Sequence, residues 1–301
     1  MIFYSHLRTI YRFFYRWLPF KNHLVHFIRD LGNKPNVVAA HIPLGEHLGK
    51  NRILRINVAN THIKIISHDL PLENSIFWDG LGKGWEKVSL GLWMQLCKNA
   101  NIVFDVGANI GIYSLAAKVA NPLLEVYAFE PLGLNFEILK NNCKINQFDI
   151  HCNQMAVSNT NGEGYITYQS FNTADRAHLT DNKPSSLTGI NEKVNIVRLD
   201  TFIADHGIKN VCAIKIDAER HEKEVLEGMG GCIKNMRPAI IIEVLSDDIG
   251  GQIEKMVKGH GYLYYNIDEN GKIRKMSSIT KSDYFNYLLC SDKQARLLNL
   301  V

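Results

Sequence analysis

Between Asn101 and Val244 the chain alternates short apolar runs with stretches of helical periodicity, which predicts a buried parallel sheet covered by helices. The runs are Ile102–Val106, Val126–Phe129, Ile150–Val157, Val211–Ile216 and Ala239–Val244. Helices are expected over Trp85–Asn99, Ser114–Ala120, Leu134–Asn146, Thr201–His206 and Gln252–Gly259. Asn121-Pro122 stops the second of these, and Asp200 is placed to cap the fourth. Gly164–Ser170 and Val194–Leu199 read as further extended segments. Tyr262–Asn266, Lys272–Lys275 and Asp283–Cys290 complete the sheet with a terminal antiparallel pair. The expected class is α/β with a mostly parallel sheet.

Upstream, Arg52–Val58 and His62–Ser67 alternate around Ala59-Asn60-Thr61 and predict a hairpin. Met1–Ile28 is crowded with aromatic and aliphatic residues, while Arg8, Arg12 and Arg16 would form a basic stripe on a helix. Such a helix docks on the rest of the protein or on a second subunit; the alternative is peripheral contact with an anionic membrane surface through residues 1–28. It lacks the uninterrupted apolar stretch and cleavage site of a signal peptide. The expected division is an accessory region, residues 1–90, and a catalytic domain, residues 91–301.

The chemistry concentrates where the first strand turns into its helix. Gly107 and Gly111 frame a G-x-N-x-G turn centred on Asn109, with Asp105 just before it. Glycine permits unusual dihedrals and close approach of a ligand. Glu130 ends the second strand about twenty residues on, where a carboxylate can accept hydrogen bonds from ribose hydroxyls. The turn departs from the G-x-G-x-x-G pattern that seats a pyrophosphate, and Asp105 would repel one. Two acids so placed suit a ligand with a cationic amino-acid end and a ribose, as in S-adenosylmethionine.

The motif series D-V-G-A-N-I-G (Asp105–Gly111), A-F-E-P (Ala128–Pro131), A-V-S (Ala156–Ser158), R-L-D (Arg198–Asp200), I-K-I-D-A-E-R-H-E (Ile214–Glu222) and R-P-A-I-I-I-E (Arg237–Glu243) resembles the FkbM family of methyltransferases. The resemblance covers about residues 100–245 and implies a Rossmann-like class I methyltransferase sheet, S-adenosylmethionine as cofactor, and O-methylation. The family usually has Gly where this chain has Arg220. By analogy with that fold, the end of the third strand faces adenine, which adds Met155 and Ala156 to the cofactor residues; Met155 serves equally well as a core residue.

A hydroxyl acceptor must lose its proton as it is methylated. Asp217, at the carboxyl end of the fourth strand, is the first candidate to take it, with His221 second and Glu219 beside them. Asp217 and His221 also have structural readings, as loop orienter and helix cap. The acids Asp217, Glu219 and Glu243 could instead hold a divalent metal, but positioning is the stronger reading and no metal is expected. The polar stretch Phe171–Glu192 reads as an acceptor lid or a plain surface loop, with Arg176 and His178 its most useful side chains.

At 301 residues and 46% hydrophobic content the chain can bury a full core. A net charge of +4 gives no strong nucleic-acid signal. Six scattered cysteines without C-x-x-C spacing favour a reducing compartment and no structural zinc, hence a cytoplasmic expectation, membrane-peripheral if the N-terminal helix binds lipid. No apolar run is long enough to span a bilayer. The expected acceptor is a hydroxyl-bearing sugar in a glycan or glycolipid, in polysaccharide biosynthesis. A polyketide-type metabolite is the alternative within that class, and a nicotinamide-dependent oxidoreductase or a non-catalytic binding protein lies outside it. Homo-oligomerisation is compatible with all of these.

Overall fold

The computed structural model describes residues 53–58, 61–68, 71–81, 86–168, 178–180 and 189–301. The stretch Met1–Ile28 lies outside them, as does Arg176. The chain divides into two compact units, Met1–Trp85 and Glu86–Val301. In the first, β1 (Ile53–Val58) and β2 (Thr61–Ile66) pair antiparallel. Alternation buries Leu54, Ile56, Val58, Ile63 and Ile65. A helix, α1 (Pro71–Asp79), follows, and its buried Glu73 accepts hydrogen bonds from the Ser67 hydroxyl and the His68 N–H.

The second unit is built on an eight-stranded sheet of β3 (Ile102–Val106), β4 (Glu125–Phe129), β5 (His151–Asn153), β10 (Ala213–Ile216), β11 (Ala239–Glu243), β12 (Leu263–Asp268), β13 (Lys272–Met276) and β14 (Asn286–Cys290). The order is β13-β12-β14-β11-β10-β3-β4-β5. The five strands from β11 to β5 are parallel, as their continuous apolar runs demand. The last strand in the chain, β14, runs antiparallel between β11 and β12. Helices α2 (Lys87–Cys97), α3 (Ile112–Ala120) and α4 (Gly133–Asn146) accompany β3 and β4. The N-terminus of α2 is capped by the carboxylate of distant Glu269, which accepts from Val88 N–H at 2.6 Å and Ser89 N–H at 3.2 Å. Phe104, Phe129 and Phe202 pack edge to face in the main core.

Four segments differ from the sequence expectation. Ile150–Val157 is not one strand: β5 ends at Asn153, and β6 (Ala156–Val157) leaves for a second sheet of order β6-β9-β7-β8. A turn bond from Met155 N–H to the Asn153 carbonyl, 3.0 Å, makes the break. Asp200 is not the cap of α5 (Leu199–Asp205); Arg198 holds that position with extended dihedrals. Asp200 lies in the first turn, bound to the Arg198 guanidinium, whose hydrogen bonds hold its carboxyl below the usual range. The helix α8 (Asp247–Val257) starts well before Gln252, because Ser246 caps it and the chain remains helical through Gly250-Gly251. The expected loop Phe171–Glu192 is also partly extended. β7 (Gly162–Tyr168) pairs with β8 (His178–Thr180) and with β9 (Ile190–Val197), so His178 falls on a strand.

Candidate functional site

The register of the parallel strands fixes the site. Val106 is opposite Ile216 and Phe129, and Ile216 is opposite Ile242. One step further, Glu130, Gly107, Asp217 and Glu243 therefore form a single row across the carboxyl ends of four adjacent strands. Parallel sheets bind ligands along that edge, at the point where strand order reverses; here that point is β3, between β4 and β10.

On the β3–β4 side the backbone does most of the work. Gly107 has φ +74°, and its N–H, like that of Ala108, donates to the Phe129 carbonyl at 3.0 Å. A Cβ on Gly107 would collide with the main-chain carbonyl of Asp217, and one on Gly111 (φ +92°) would meet the Leu139 side chain. Both glycines are thus required by the packing of the turn itself. Asn109, also left-handed at φ +50°, donates its N–H to Glu130 Oε2 at 2.8 Å. Glu130 Oε1 accepts from Leu132 N–H at 3.0 Å. Burial pushes the Glu130 carboxyl up to about 7, against the pull of these two N–H groups.

Asp105 is 1% exposed. Its Oδ2 accepts from the Ser114 hydroxyl at 2.6 Å, while the equally buried Oδ1 has no partner. Burial raises its carboxyl, and the nearby Lys215 opposes the rise. An orphaned buried acceptor calls for a donor, and the amino group of S-adenosylmethionine is a donor of the right charge. Beyond the Asn109 and Leu132 N–H groups and the Asn135 side chain, the Glu130 carboxylate has lone-pair capacity left for a ribose hydroxyl. The residues therefore fit this cofactor. Met155 is half-buried against the main core, and Ala156 is buried in the small core of the second sheet with Leu132, Ile166 and Val194.

On the β10–β11 side, side chains of like charge meet. The buried Lys215 places Nζ 2.6 Å from Asp217 Oδ2 and 4.9 Å from the centre of the Tyr113 ring. Burial works against its charge, but Asp217, Glu86 and Asp105 hold the ammonium above the usual lysine range. The Tyr113 hydroxyl donates to Glu86 Oε2 at 2.6 Å, and burial raises the Glu86 carboxyl. Glu243 is pushed up to about 8 by burial, then by Asp217 and Glu222.

Glu222 opens α6 (Glu222–Gly228), which the short α7 (Cys232–Met236) follows, and is fully buried. Its Oε1 accepts from Ala218 N–H at 3.1 Å and Arg220 N–H at 3.0 Å. These bonds clamp a turn in which Glu219 (φ +52°) and Arg220 (φ +75°) are both left-handed. Arg220 thus occupies a backbone state that glycine adopts without strain.

Among the described residues, the three carboxylates brought together are those of Asp217, Glu222 and Glu243, with one oxygen of each within 4.8 Å of the others. Glu219 is outside that group. His221 is engaged elsewhere: its Nε2 is 2.8 Å from Ser158 Oγ, and its Nδ1 is 3.7 Å from Glu224. Sequence reasoning passed over Lys215 and Glu86. Lys215 was legible as the one charge inside the otherwise apolar strand β10; Glu86 carried no signal. No helix among the described residues is long and apolar enough to cross a membrane.

A family model described as the methyltransferase FkbM domain matches residues 105–264. The chain is 28% identical over 188 residues to the 31-O-demethyl-FK506 methyltransferase FkbM of Streptomyces tacrolimicus, covering 54% of this chain and 72% of that protein. It is 23% identical over 159 residues to the hexuronic acid methyltransferase AglP of Haloferax volcanii, covering 53% of this chain and 62% of that protein. Among solved structures, a methyltransferase FkbM from Methylobacillus flagellatus aligns with a TM-score of 0.40 and 13% identity, over 64% of this chain and 44% of that one.

Proposed function

This chain belongs to the FkbM family of S-adenosylmethionine-dependent methyltransferases, and on that premise we propose that it methylates a hydroxyl of a sugar in a glycan or glycolipid. The observation that carries the reading is the row Glu130–Gly107–Asp217–Glu243. Its first half suits the cofactor, and its second half presents carboxylates to whatever lies beside the cofactor. A relative that methylates hexuronic acid supports a sugar acceptor. One named for position 31-O of FK506 supports transfer to oxygen and keeps a polyketide-type acceptor as the second reading.

Bound S-adenosylmethionine supplies a methyl group already activated by its positive sulfur. The protein's task is then alignment and removal of one proton. Asp105 would hold the amino group and Glu130 the ribose, and Asn109, Met155 and Ala156 would border the nucleoside. Asp217 is assigned to engage the acceptor hydroxyl and take its hydrogen, its carboxylate held in place by Lys215. His221, turned to Ser158, and Glu219, in the strained turn, shape the same loop.

The test is transfer of labelled methyl to a panel of uronic-acid glycosides, neutral glycolipids and polyketide alcohols. Formation of a base-stable methyl ether on a sugar supports the proposal. Transfer confined to polyketide alcohols moves the protein to the second reading, and transfer to a carboxyl or nitrogen overturns O-methylation. Asp217→Asn should lower turnover by about 100-fold or more; near-normal turnover in both Asp217→Asn and His221→Ala would remove both assignments.

A further inference from the structure

We propose that Asp217, Glu222 and Glu243 form a binding site for one divalent cation of the Mg²⁺ or Mn²⁺ type, beside the methyl-transfer site. The sequence alone grouped Asp217 and Glu243 with Glu219; folding substitutes Glu222, and the substitution changes what the cluster can do. Glu222 is 0% exposed, and its Oε1 is fixed by two backbone N–H groups while its Oε2 has no partner at all. A carboxylate oxygen buried without a donor is costly. A cation shared with the other two acids satisfies it.

The three oxygens lie within 4.8 Å of one another, close enough for an ion to draw them to its coordination distance of roughly 2.0–2.6 Å by small side-chain movements. Lys215 engages one oxygen of Asp217, Oδ2, so the carboxylate has a second oxygen beyond that ion pair. The nearby charges point the same way. Asp217, Glu222 and Glu86 act on Glu243 with like charge and Lys215 with opposite charge. An all-oxygen, all-carboxylate set selects hard cations over zinc or copper. Asp217 and Glu243 are both only partly buried, so the ion can be reached from solvent and keeps open positions.

Those open positions define the ligand class. An acceptor with adjacent oxygens, such as a vicinal diol or a hydroxy acid of the uronic type, would complete the shell. The inference deepens the methyl-transfer reading and rests on it for that purpose alone; Asp217 would then hold the ion, which would acidify the acceptor hydroxyl so that its proton passes to solvent instead of directly to Asp217.

The experiment measures metal binding without turnover. Full-length protein, free of cofactor and acceptor, is titrated with Mn²⁺ while the free-ion paramagnetic resonance signal is followed. One equivalent should bind, Mg²⁺ should compete for it, and Glu243→Gln should weaken it at least tenfold. Asp217→Asn serves as the second variant if Glu243→Gln does not fold. No Mn²⁺ bound at millimolar concentration, or equal binding in a folded variant, overturns the proposal. S-adenosylmethionine binding on the same samples separates the two ideas: cofactor bound without Mn²⁺ removes the metal and leaves methyl transfer standing.

Discussion

The two halves of the row at the carboxyl edge of the sheet solve opposite problems. The β3–β4 half is made mainly of backbone: two glycines, a left-handed Asn109, and two acids held apart, Glu130 by two N–H groups and Asp105 by the Ser114 hydroxyl. The β10–β11 half is made of side chains: Asp217, Glu222 and Glu243 crowd together, with Lys215 as the buried counter-charge. The first half is rigid before any ligand arrives, as a cofactor shared by a whole class of reactions requires. The second half holds unspent charge, which suits it to recognise a variable acceptor. Its electrostatics depend on a cation where the first half depends on sterics.

Lys215→Met should break that asymmetry most severely. Removing one partner of a buried ion pair costs roughly 3–5 kcal/mol, and here it leaves several acids facing one another; denaturant unfolding should show the loss. Gly107→Ala attacks the other half. The added methyl meets the Asp217 carbonyl and the left-handed φ is lost to strain, so roughly 3 kcal/mol should disappear, and cofactor affinity with it. A smaller loss, or one confined to binding, would mean the turn relaxes and is less rigid than the packing indicates.

Glu130 supplies a pH test of the backbone-built half. Its folded carboxyl sits at about 7 against an ordinary value of 4.5. A raised acid contributes stability below its unfolded value and loses it as pH rises through its folded value. The stability of wild type minus that of Glu130→Gln should therefore fall between pH 4.5 and pH 7, by up to roughly 3 kcal/mol. A difference that stays flat across this window would place Glu130 in a wetter setting. The smallest effect belongs to Arg220→Gly. Relief of the left-handed strain at φ +75° outweighs glycine's extra chain entropy, and the melting point should rise by an amount equivalent to about 0.5–1 kcal/mol.

The same contrast explains what the sequence disclosed. The β3–β4 half is one contiguous stretch, so its strands, turn and acids could be read in order, and Asp105, Gly107, Asn109, Gly111 and Glu130 all lie at or beside the carboxyl edge of that pair. Asp217 and Glu243 were legible as acids ending apolar runs. The replacement of Glu219 by Glu222 was not, because it depends on two consecutive non-glycine residues turning left-handed, which nothing in their side chains announces. The split of Ile150–Val157 was hidden for a different reason: both pieces are strands, and only tertiary pairing assigns them to different sheets. Ser246 and Gly250-Gly251 misplaced the start of α8, since glycines inside a helix read as its boundary. Arg220 was visible as a departure from the family motif, and the structure gives it a physical meaning as a strained residue in a glycine position.

Titration calorimetry with S-adenosylmethionine on wild type and Glu130→Ala tests the division of the row most directly. Binding in wild type that weakens at least tenfold in the folded variant is the predicted result, since the ribose anchor and the Asn109 and Leu132 N–H partner are lost together. Equal affinity in the two proteins would contradict it, and would move the cofactor away from the β3–β4 half of the sheet edge.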